Sequence, residues 1–389
     1  MELFLFFLSK VSHIFINCKS ILPVPFYKIK LMTLSSEDIN VILEEPQKAA
    51  KLASLTYVSE HHLSIKRKKV GRGFSYYKNE ERIKDIKVID RIKKLVIPPA
   101  WTQVNITHLE KGHLQVVGRD EKERKQYIYH PLWSKIKNET KFFKMSAFGK
   151  KLPLIRKKVD KDLDLPGMCK QKVLALIIRL MEETHIRIGN DYYAQKNKTY
   201  GLSTFRTRHV KTYDDEVKFE FVGKKGKEHS ISVQNKKLIK LINQCEEIPG
   251  WELFKFYDEN GEKHSIDSGM INDYIHDVAG ELFSAKDFRT WAASKIFFET
   301  VIELGYIEDE KENKKTILTS FDAAASGLGN TRAVCRSYYV HPKIVESYED
   351  GSIVPYFDKL KKDDKKDYTK LSETEKVMLN LIEDYEISI

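Results

Sequence analysis

Five polar residues in the C-terminal two-thirds of the chain have the types that phosphodiester transfer without a metal requires. Arg187 lies in HIRIGND, Lys224 in FVGKKGK, Arg289 in AKDFRTW, Asn330 in LGNTRAV and Tyr339 in CRSYYVHP. A tyrosine phenol, with an ordinary pKa of about 10, is a poor nucleophile at neutral pH unless positive charge nearby favours its ionised form. Charge spreading over non-bridging phosphate oxygens is best met by planar guanidinium forks, which Arg187 and Arg289 supply. A leaving 5′ oxygen needs a proton, and a lysine held among phosphates and arginines can give one, which is the candidate role of Lys224. Asn330 can donate its amide to a phosphate oxygen, or cap the helix after it. Taken singly, each residue has a plainer use: a surface salt bridge for either arginine, a solvated turn for Lys224, a core ring for one of Tyr338 and Tyr339. The ordered set inside a basic chain is what points to phosphoryl chemistry.

These residues need elements to hold them. QKVLALIIRLMEETHIRIGN carries apolar residues at helical spacing and predicts a helix that closes at Gly189 and Asn190, with Arg187 just before the stop. GLSTFRTRHV and EVKFEFVGKKGKEHSISV alternate with period two, which predicts a three-stranded sheet whose hairpin tip carries Lys224, Lys225 and Lys227. SAKDFRTWAASKIFFETVIELG predicts a helix with Ser284 as N-cap, an acid three residues on, and Gly305 as its stop. Lys286 lies one turn before Arg289 on it. The final KLKKDDKKDYTKLSETEK is charge-dense and reads as a solvated helix.

Earlier in the chain the pattern changes. A short helix is predicted near Ile39–Leu55, with Ser35 or Ser36 as a cap, followed by a basic, turn-rich IKRKKVGRGFSYYKNEERIKD. Val104, Ile106, Leu114, Val116 and Tyr127 then sit in short alternating segments, which predicts a small antiparallel sheet. The helical pattern starts near Asn138, with a domain boundary near residues 134–145. In GRDEKERKQYIYHPLW basic and aromatic residues alternate, making Arg119, Lys125, Gln126, Tyr127 and Tyr129 candidates for DNA contact. Gln126 matches an adenine edge, and lysine and tyrosine suit phosphates. On a strand Gln126 points away from Tyr127, and the alternative is a solvated strand with Tyr127 and Tyr129 in the core.

Composition agrees with a polyanionic partner. The 389 residues suffice for two domains. The net charge of +11 is uneven: 8 basic against 12 acidic residues from Lys343 onward leave +15 on the rest. Nucleic acid is the first candidate for such a field. Cys18, Cys169, Cys245 and Cys335 form no metal-ligand or disulfide pattern, which fits a reducing cytoplasm. There is no GxxxxGK(S/T) loop and no carboxylate cluster with metal-ligand spacing, so no cofactor and no metal are expected. The opening MELFLFFLSK is interrupted by Lys10 and has no basic region before it, so neither a signal peptide nor a membrane span is expected.

In order, IPPAW, GHLQVVGRD, RKQYIYHPLW, RLMEETHIRIGNDYYAQKNKTYGLSTFRTRHV, KFEFVGK, KDFRTW and LGNTRAVCRSYYVHP closely resemble the type IB DNA topoisomerases, in the compact bacterial and poxvirus-like branch. The likeness runs from about Leu55 to Gly351. It implies an α+β protein, a C-shaped clamp of a small β-rich DNA-binding domain and a larger, mainly helical catalytic domain; on the residue pattern these are 35–137 and 138–389, after a disordered extension over 1–34. It implies relaxation of supercoiled duplex DNA through a 3′-phosphotyrosyl intermediate, strand rotation and religation, by a monomer in the cytoplasm, on the bacterial nucleoid. On the family pattern Tyr339 is the nucleophile, Arg187 and Arg289 the transition-state arginines, Lys224 the general acid and Lys286 a support for Arg289. Asn330 stands where pox and nuclear members carry histidine, so proton transfer cannot depend on that position. Asn190 to Tyr193, with Tyr193 a candidate DNA contact, depart from the more basic pox pattern. Two other readings compete. A tyrosine recombinase shares the Arg, Lys, Arg, Tyr order but has HxxR where this chain has Lys286-Asp287-Phe288-Arg289, and a helical N-terminal module. A non-catalytic basic DNA-packaging protein would tolerate loss of Tyr339.

Overall fold

Turn residues cut the chain ahead of Lys137 into short strands that pair with antiparallel neighbours. The computed structural model describes residues 45–360 and 367–385, and separates a first unit, up to Lys137, from a second that begins at Asn138. In the first unit helix α1 (Pro46–Leu52) precedes β1 (Ile65–Val70), β2 (Gly73–Lys78) and β3 (Glu81–Arg82). Helix α2 (Ile86–Lys94) is followed by β4 (Thr102–Ile106), β5 (Leu114–Arg119) and β6 (Lys125–Tyr129). The strands form one sheet in the order β3-β2-β1-β4-β5-β6. Ile65, Val104, Ile106 and Val116 pack with Ile92 of α2 into its core. The stretch read as basic and turn-rich is thus the β1–β2 hairpin. Of β1 only Ile65 is buried, so lysines on both faces hide the period-two signal. Arg67 lies 4.2 Å from the centre of the Phe74 ring and donates to the carbonyls of Ile97, Pro98 and Trp101, which ties the IPPAW segment to β1.

The second unit is mainly helical. The 33-residue α3 (Pro131–Leu163) begins at Pro131 rather than near Asn138, proline being favoured in a first helical turn. Then come α4 (Lys170–Thr184), α5 (Asp191–Asn197), the sheet β7 (Val210–Thr212), β8 (Val217–Val222) and β9 (Glu228–Val233), and α6 (Lys236–Glu247). The hairpin β10 (Lys255–Tyr257) and β11 (Lys263–Ser265) leads to α7 (Ser268–Ala279), α8 (Ala285–Leu304), α9 (Glu310–Leu328) and α10 (Arg332–Tyr338). The last helices are α11 (Pro342–Glu349), α12 (Val354–Phe357) and α13 (Glu373–Ile382). All positions from Val173 to Met181 on α4 are buried, and α8 buries Phe288, Trp291, Phe297 and Phe298. These two helices form the centre of the core.

Three local expectations are corrected. Helix α4 stops at Thr184, because His185 takes a left-handed conformation at φ 56°; Asn190 caps α5 instead, accepting from the Tyr193 N–H at 3.3 Å. Leu202–Thr204 is a 3₁₀ turn, not a strand. Of the charged stretch read as a solvated helix, the described residues are helical only from Glu373, where α13 begins, and Glu375 is buried there. Glu375 accepts from Arg156 Nη1 at 2.8 Å and Nη2 at 2.7 Å, and from Trp291 Nε1 at 2.9 Å. Although burial opposes it, these donors hold the Glu375 carboxyl down to about 2. Residues 361–366 of that tail lie outside the described residues, as do 1–34, Ser35 and Ser36, and the part of the expected Ile39–Leu55 helix before residue 45.

Candidate active site

The break at His185 frees the backbone that carries Arg187. Past the helix the chain is held by the 3₁₀ turn, where the Leu202 N–H donates to the Arg187 carbonyl at 2.9 Å and the Ser203 N–H to that of Ile188 at 2.6 Å. The approach is so close that a Cβ at Gly201 would overlap the Arg187 carbonyl, which explains glycine there. Thus fixed, half-buried Arg187 donates from Nη2 to Asn330 Oδ1 at 2.7 Å.

Arg289 sits in the first turns of α8, which starts as its sequence predicts: Ser284 and Asp287 make the reciprocal capping box, and Gly305 ends the helix. Arg289 is 5 % exposed. Its Nη1 donates to the His185 carbonyl and its Nη2 to the Leu328 carbonyl at 2.8 Å. Burial first, then the charge of Arg187, bring Arg289 down to about 10, and the Tyr339 hydroxyl partly offsets this. Burial also holds His185 at about 4, assisted by Arg289 and Lys295, so that side chain is neutral at pH 7.

Helix α9 ends in Gly329, left-handed at φ 60°. Asn330 does not cap α10; Thr331 does, accepting from the Val334 N–H at 3.4 Å. Tyr339 is not on α10 either. It follows the last helical residue, at φ −127° and ψ −43°, with its N–H on the Cys335 carbonyl at 3.0 Å. Its carbonyl accepts from Ser294 Oγ at 3.2 Å, and that hydroxyl accepts from the His341 N–H at 2.9 Å. The Tyr339 ring is half-buried, 5.8 Å from the Arg289 guanidinium carbon. Tyr338 is 51 % exposed, and Lys141 donates to its carbonyl.

Lys224 is exposed at the tip of the β8–β9 hairpin, in a 3₁₀ turn where the Gly223 N–H donates to the Lys227 carbonyl at 2.7 Å. It lines a cavity of about 370 Å³ with Arg187, Arg289, Lys227, His185 and His229. Four of the five sequence candidates therefore form one connected cluster, and Lys224 opens on the same cavity. Lys286 is exposed while Arg289 is buried, and its neighbour Asp287 pairs with Lys144 at 2.7 Å.

Two donors in the cluster are conspicuous. Among the described residues, Arg289 Nε and Asn330 Nδ2 are buried without a hydrogen-bond partner, and no carboxylate pairs with Arg187 or Arg289. Buried donors lacking acceptors beside two guanidinium groups are costly unless an anion completes them. Sequence reasoning did not find His185, His229, Ser294 or Lys141, since lone residues of these types carry no spacing signal.

The other candidates lie elsewhere. On β6 the side chains of Lys125, Tyr127 and Tyr129 are exposed and Gln126 and Ile128 are half-buried. The two tyrosines stack at 6.0 Å with Lys125 5.7 Å from the Tyr127 ring, so they are not core residues. Gln126 donates to Asp120 at 2.9 Å, and Arg119 donates to Gln103 at 3.0 Å and to the Glu123 carbonyl at 2.7 Å. In the second unit Tyr193 is exposed on α5, edge-on to Tyr192. Among the described residues, the expectation of no carboxylate cluster with metal-ligand spacing meets one exception, Asp258, Glu262 and His264, whose ligand atoms lie within 4.8 Å of one another. There Asp258 accepts from the Asn260 and Glu262 N–H groups at 3.0 and 2.8 Å and is 2.9 Å from His264 Nε2. That arrangement closes the β10–β11 turn. Among the described residues no helix is long and apolar enough to cross a membrane.

Comparison with known proteins identifies the family. The family model described as eukaryotic DNA topoisomerase I, catalytic core, matches residues 130–369, and that of the bacterial DNA topoisomerase IB N-terminal domain matches residues 73–120. The DNA topoisomerase 1B of Acanthamoeba polyphaga mimivirus is 31% identical over 324 residues, 81% of this chain and 96% of that one. The DNA topoisomerase 1B of vaccinia virus is 22% identical over 244 residues, 61% of this chain and 73% of that one.

Proposed function

The chain belongs to the type IB DNA topoisomerases, and on that premise we propose that Tyr339, Arg187, Arg289, Asn330 and Lys224 carry out its strand transfer. It is an enzyme, an isomerase that acts on DNA. In the proposed reaction the Tyr339 oxygen attacks the scissile phosphorus, giving up its proton to solvent, and a 3′-phosphotyrosyl bond forms as the bond to the 5′ oxygen breaks. Lys224 Nζ protonates the departing oxygen. Arg187, Arg289 and the Asn330 amide hold the non-bridging oxygens. After rotation of the freed strand, the 5′ hydroxyl attacks the phosphotyrosine and expels Tyr339. The observation that carries this assignment is the pair of unpartnered buried donors, Arg289 Nε and Asn330 Nδ2, in the cluster next to the half-buried Tyr339 ring. The reading is supported there by two arginines with no carboxylate between them, a charge arrangement that a phosphate completes.

Lys286 is assigned the weaker part of supporting Arg289 from the same turn. The first unit is assigned to duplex binding through the exposed Lys125-Tyr127-Tyr129 face of β6, with Arg119 and Gln126 at its edge, and Tyr193 is assigned a backbone contact. The same reading has the two units closing round DNA as a C-shaped clamp, with a monomer acting in the cytoplasm on the nucleoid.

Adduct mapping tests the nucleophile. Tyr339→Phe keeps the ring beside Arg289 and is expected to bind duplex as the native chain does, yet form no covalent complex. Tyr338→Phe is expected to cleave and religate. An adduct peptide carrying the DNA on Tyr338, or relaxation by Tyr339→Phe, would overturn the assignment.

A further inference from the structure

The hairpin that carries Lys224 and the turn that carries Asn330 lean on the same ring. His229 lies on β9, stacked on Phe221 of β8 with ring centres 4.9 Å apart and planes 13° apart. Gly223 directly precedes Lys224, and Gly329 directly precedes Asn330. A Cβ at Gly223 would come within 2.8 Å of Cδ2 and of Nε2 of His229. A Cβ at Gly329 would overlap Cε1 on the other edge of the ring, with Nδ1 at 3.2 Å. Each glycine thus leaves room that one edge of the imidazole fills, and the ring acts as a spacer between two backbone segments that end in site residues.

Little else on the hairpin tip holds Lys224. Among the described residues its side chain makes no hydrogen bond or ion pair, and its position follows from the backbone of the turn. The ring itself lines the cavity shared by Lys224, Arg187 and Arg289. Burial, and then Lys227, Arg187 and Arg289, keep it below the usual histidine range, so it adds no further cation at neutral pH. Charge is not its contribution; shape is.

We propose that His229 is a positioning residue for strand cleavage, setting where the Lys224 hairpin stands against the Asn330 turn. The inference rests on the proposed roles of Lys224 and Asn330, and adds to them a side chain that packs against the glycines preceding both.

A double-mutant cycle tests it. Single-turnover cleavage of a duplex oligonucleotide at saturating enzyme is measured for the native chain, His229→Ala, Lys224→Ala and the double variant. His229→Ala is expected to slow cleavage by about tenfold or more at unchanged duplex affinity, and to cost less than about threefold once Lys224 is gone. Equal fold-losses in both backgrounds overturn the proposal. His229→Phe keeps a ring of similar reach, and is expected to recover cleavage to within about threefold of native. If the alanine variant does not fold, the same cycle is run with His229→Leu, which fills the volume without the flat ring. A substrate with sulfur in place of the 5′ bridging oxygen separates the two layers, since a thiolate leaves unprotonated. On it Lys224→Ala and His229→Ala are expected to recover together. Recovery of Lys224→Ala without His229→Ala overturns the positioning role. Failure of Lys224→Ala to recover sinks only the general-acid reading, and the cycle still decides His229.

Discussion

Arg289→Lys separates a guanidinium from a mere positive charge, and the structure says how much each part is worth. Arg289 spans two backbone carbonyls, His185 on one side and Leu328 on the other, and keeps Nε unpartnered. A lysine ammonium retains the charge but can meet only one of those carbonyls, and has no donor at the Nε position. Leaving a buried carbonyl bare costs on the order of 1–3 kcal/mol, so the variant loses stability as well as chemistry, and the two need separate readouts. Urea denaturation reads the first. For the second, loss of one preorganised donor to a developing oxyanion lowers the rate by about 10²-fold or more, roughly 2.7 kcal/mol. The assay is single-turnover cleavage of a duplex oligonucleotide at saturating enzyme, below the temperature at which either variant melts. Arg289→Lys is expected to fall within about tenfold of Arg289→Ala, both at least 10²-fold below native. A folded lysine variant that cleaves within about tenfold of native would refute the argument, because charge alone would then suffice.

The remaining expectations concern the reaction conditions. Relaxation of positive and negative supercoils is expected without ATP and in the presence of a chelator, since the cluster is built from arginines, an amide and a tyrosine; strict dependence of chelator-treated protein on magnesium would contradict this. Acid is expected to destabilise the fold: burial holds His185 at about 4 and His341 at about 3, below the roughly 6.5 of an unfolded chain. The unfolded state therefore binds the extra protons, so this stability is whole above about pH 6.5 and drains as the pH falls toward those folded values. By pH 5 each histidine has lost about 2 kcal/mol, and equal urea midpoints at pH 7 and pH 5 would count against it.

What was legible in the sequence is what local chemistry decides. The start and stop of α8 follow from Ser284, Asp287 and Gly305, each acting within a few residues of itself. The end of α4 was missed because the left-handed residue is His185, not a glycine, and the carbonyl it presents is used by Arg289 from a different helix. The β1–β2 hairpin was missed because Lys66, Lys68 and Lys69 leave a single buried position on the strand. In the tail, charge density pointed to solvent, yet Glu375 is buried because Arg156 and Trp291 complete it. The five candidate residues were found from type and order, and neither gives their contacts.

The adjacent tyrosines show how order and geometry differ. On a helix neighbours point about 100° apart, so only one of two adjacent helical tyrosines could face a phosphate. Tyr339 instead follows the last residue of α10, at φ −127° and ψ −43°, tied back to the helix only by its N–H on the Cys335 carbonyl. Its backbone is fixed from α8: Ser294 donates to the Tyr339 carbonyl and accepts from the His341 N–H. Arg289 is five residues earlier on the same helix, bound to the last carbonyl of α9, and Asn330 follows that carbonyl by two residues. One buried helix thus holds the guanidinium, clamps the tyrosine segment and anchors the end of the helix before Asn330. Preorganisation of the cluster is therefore a property of α8 packing, and its cost is met by the Phe288, Trp291, Phe297 and Phe298 core rather than by contacts among the reacting groups.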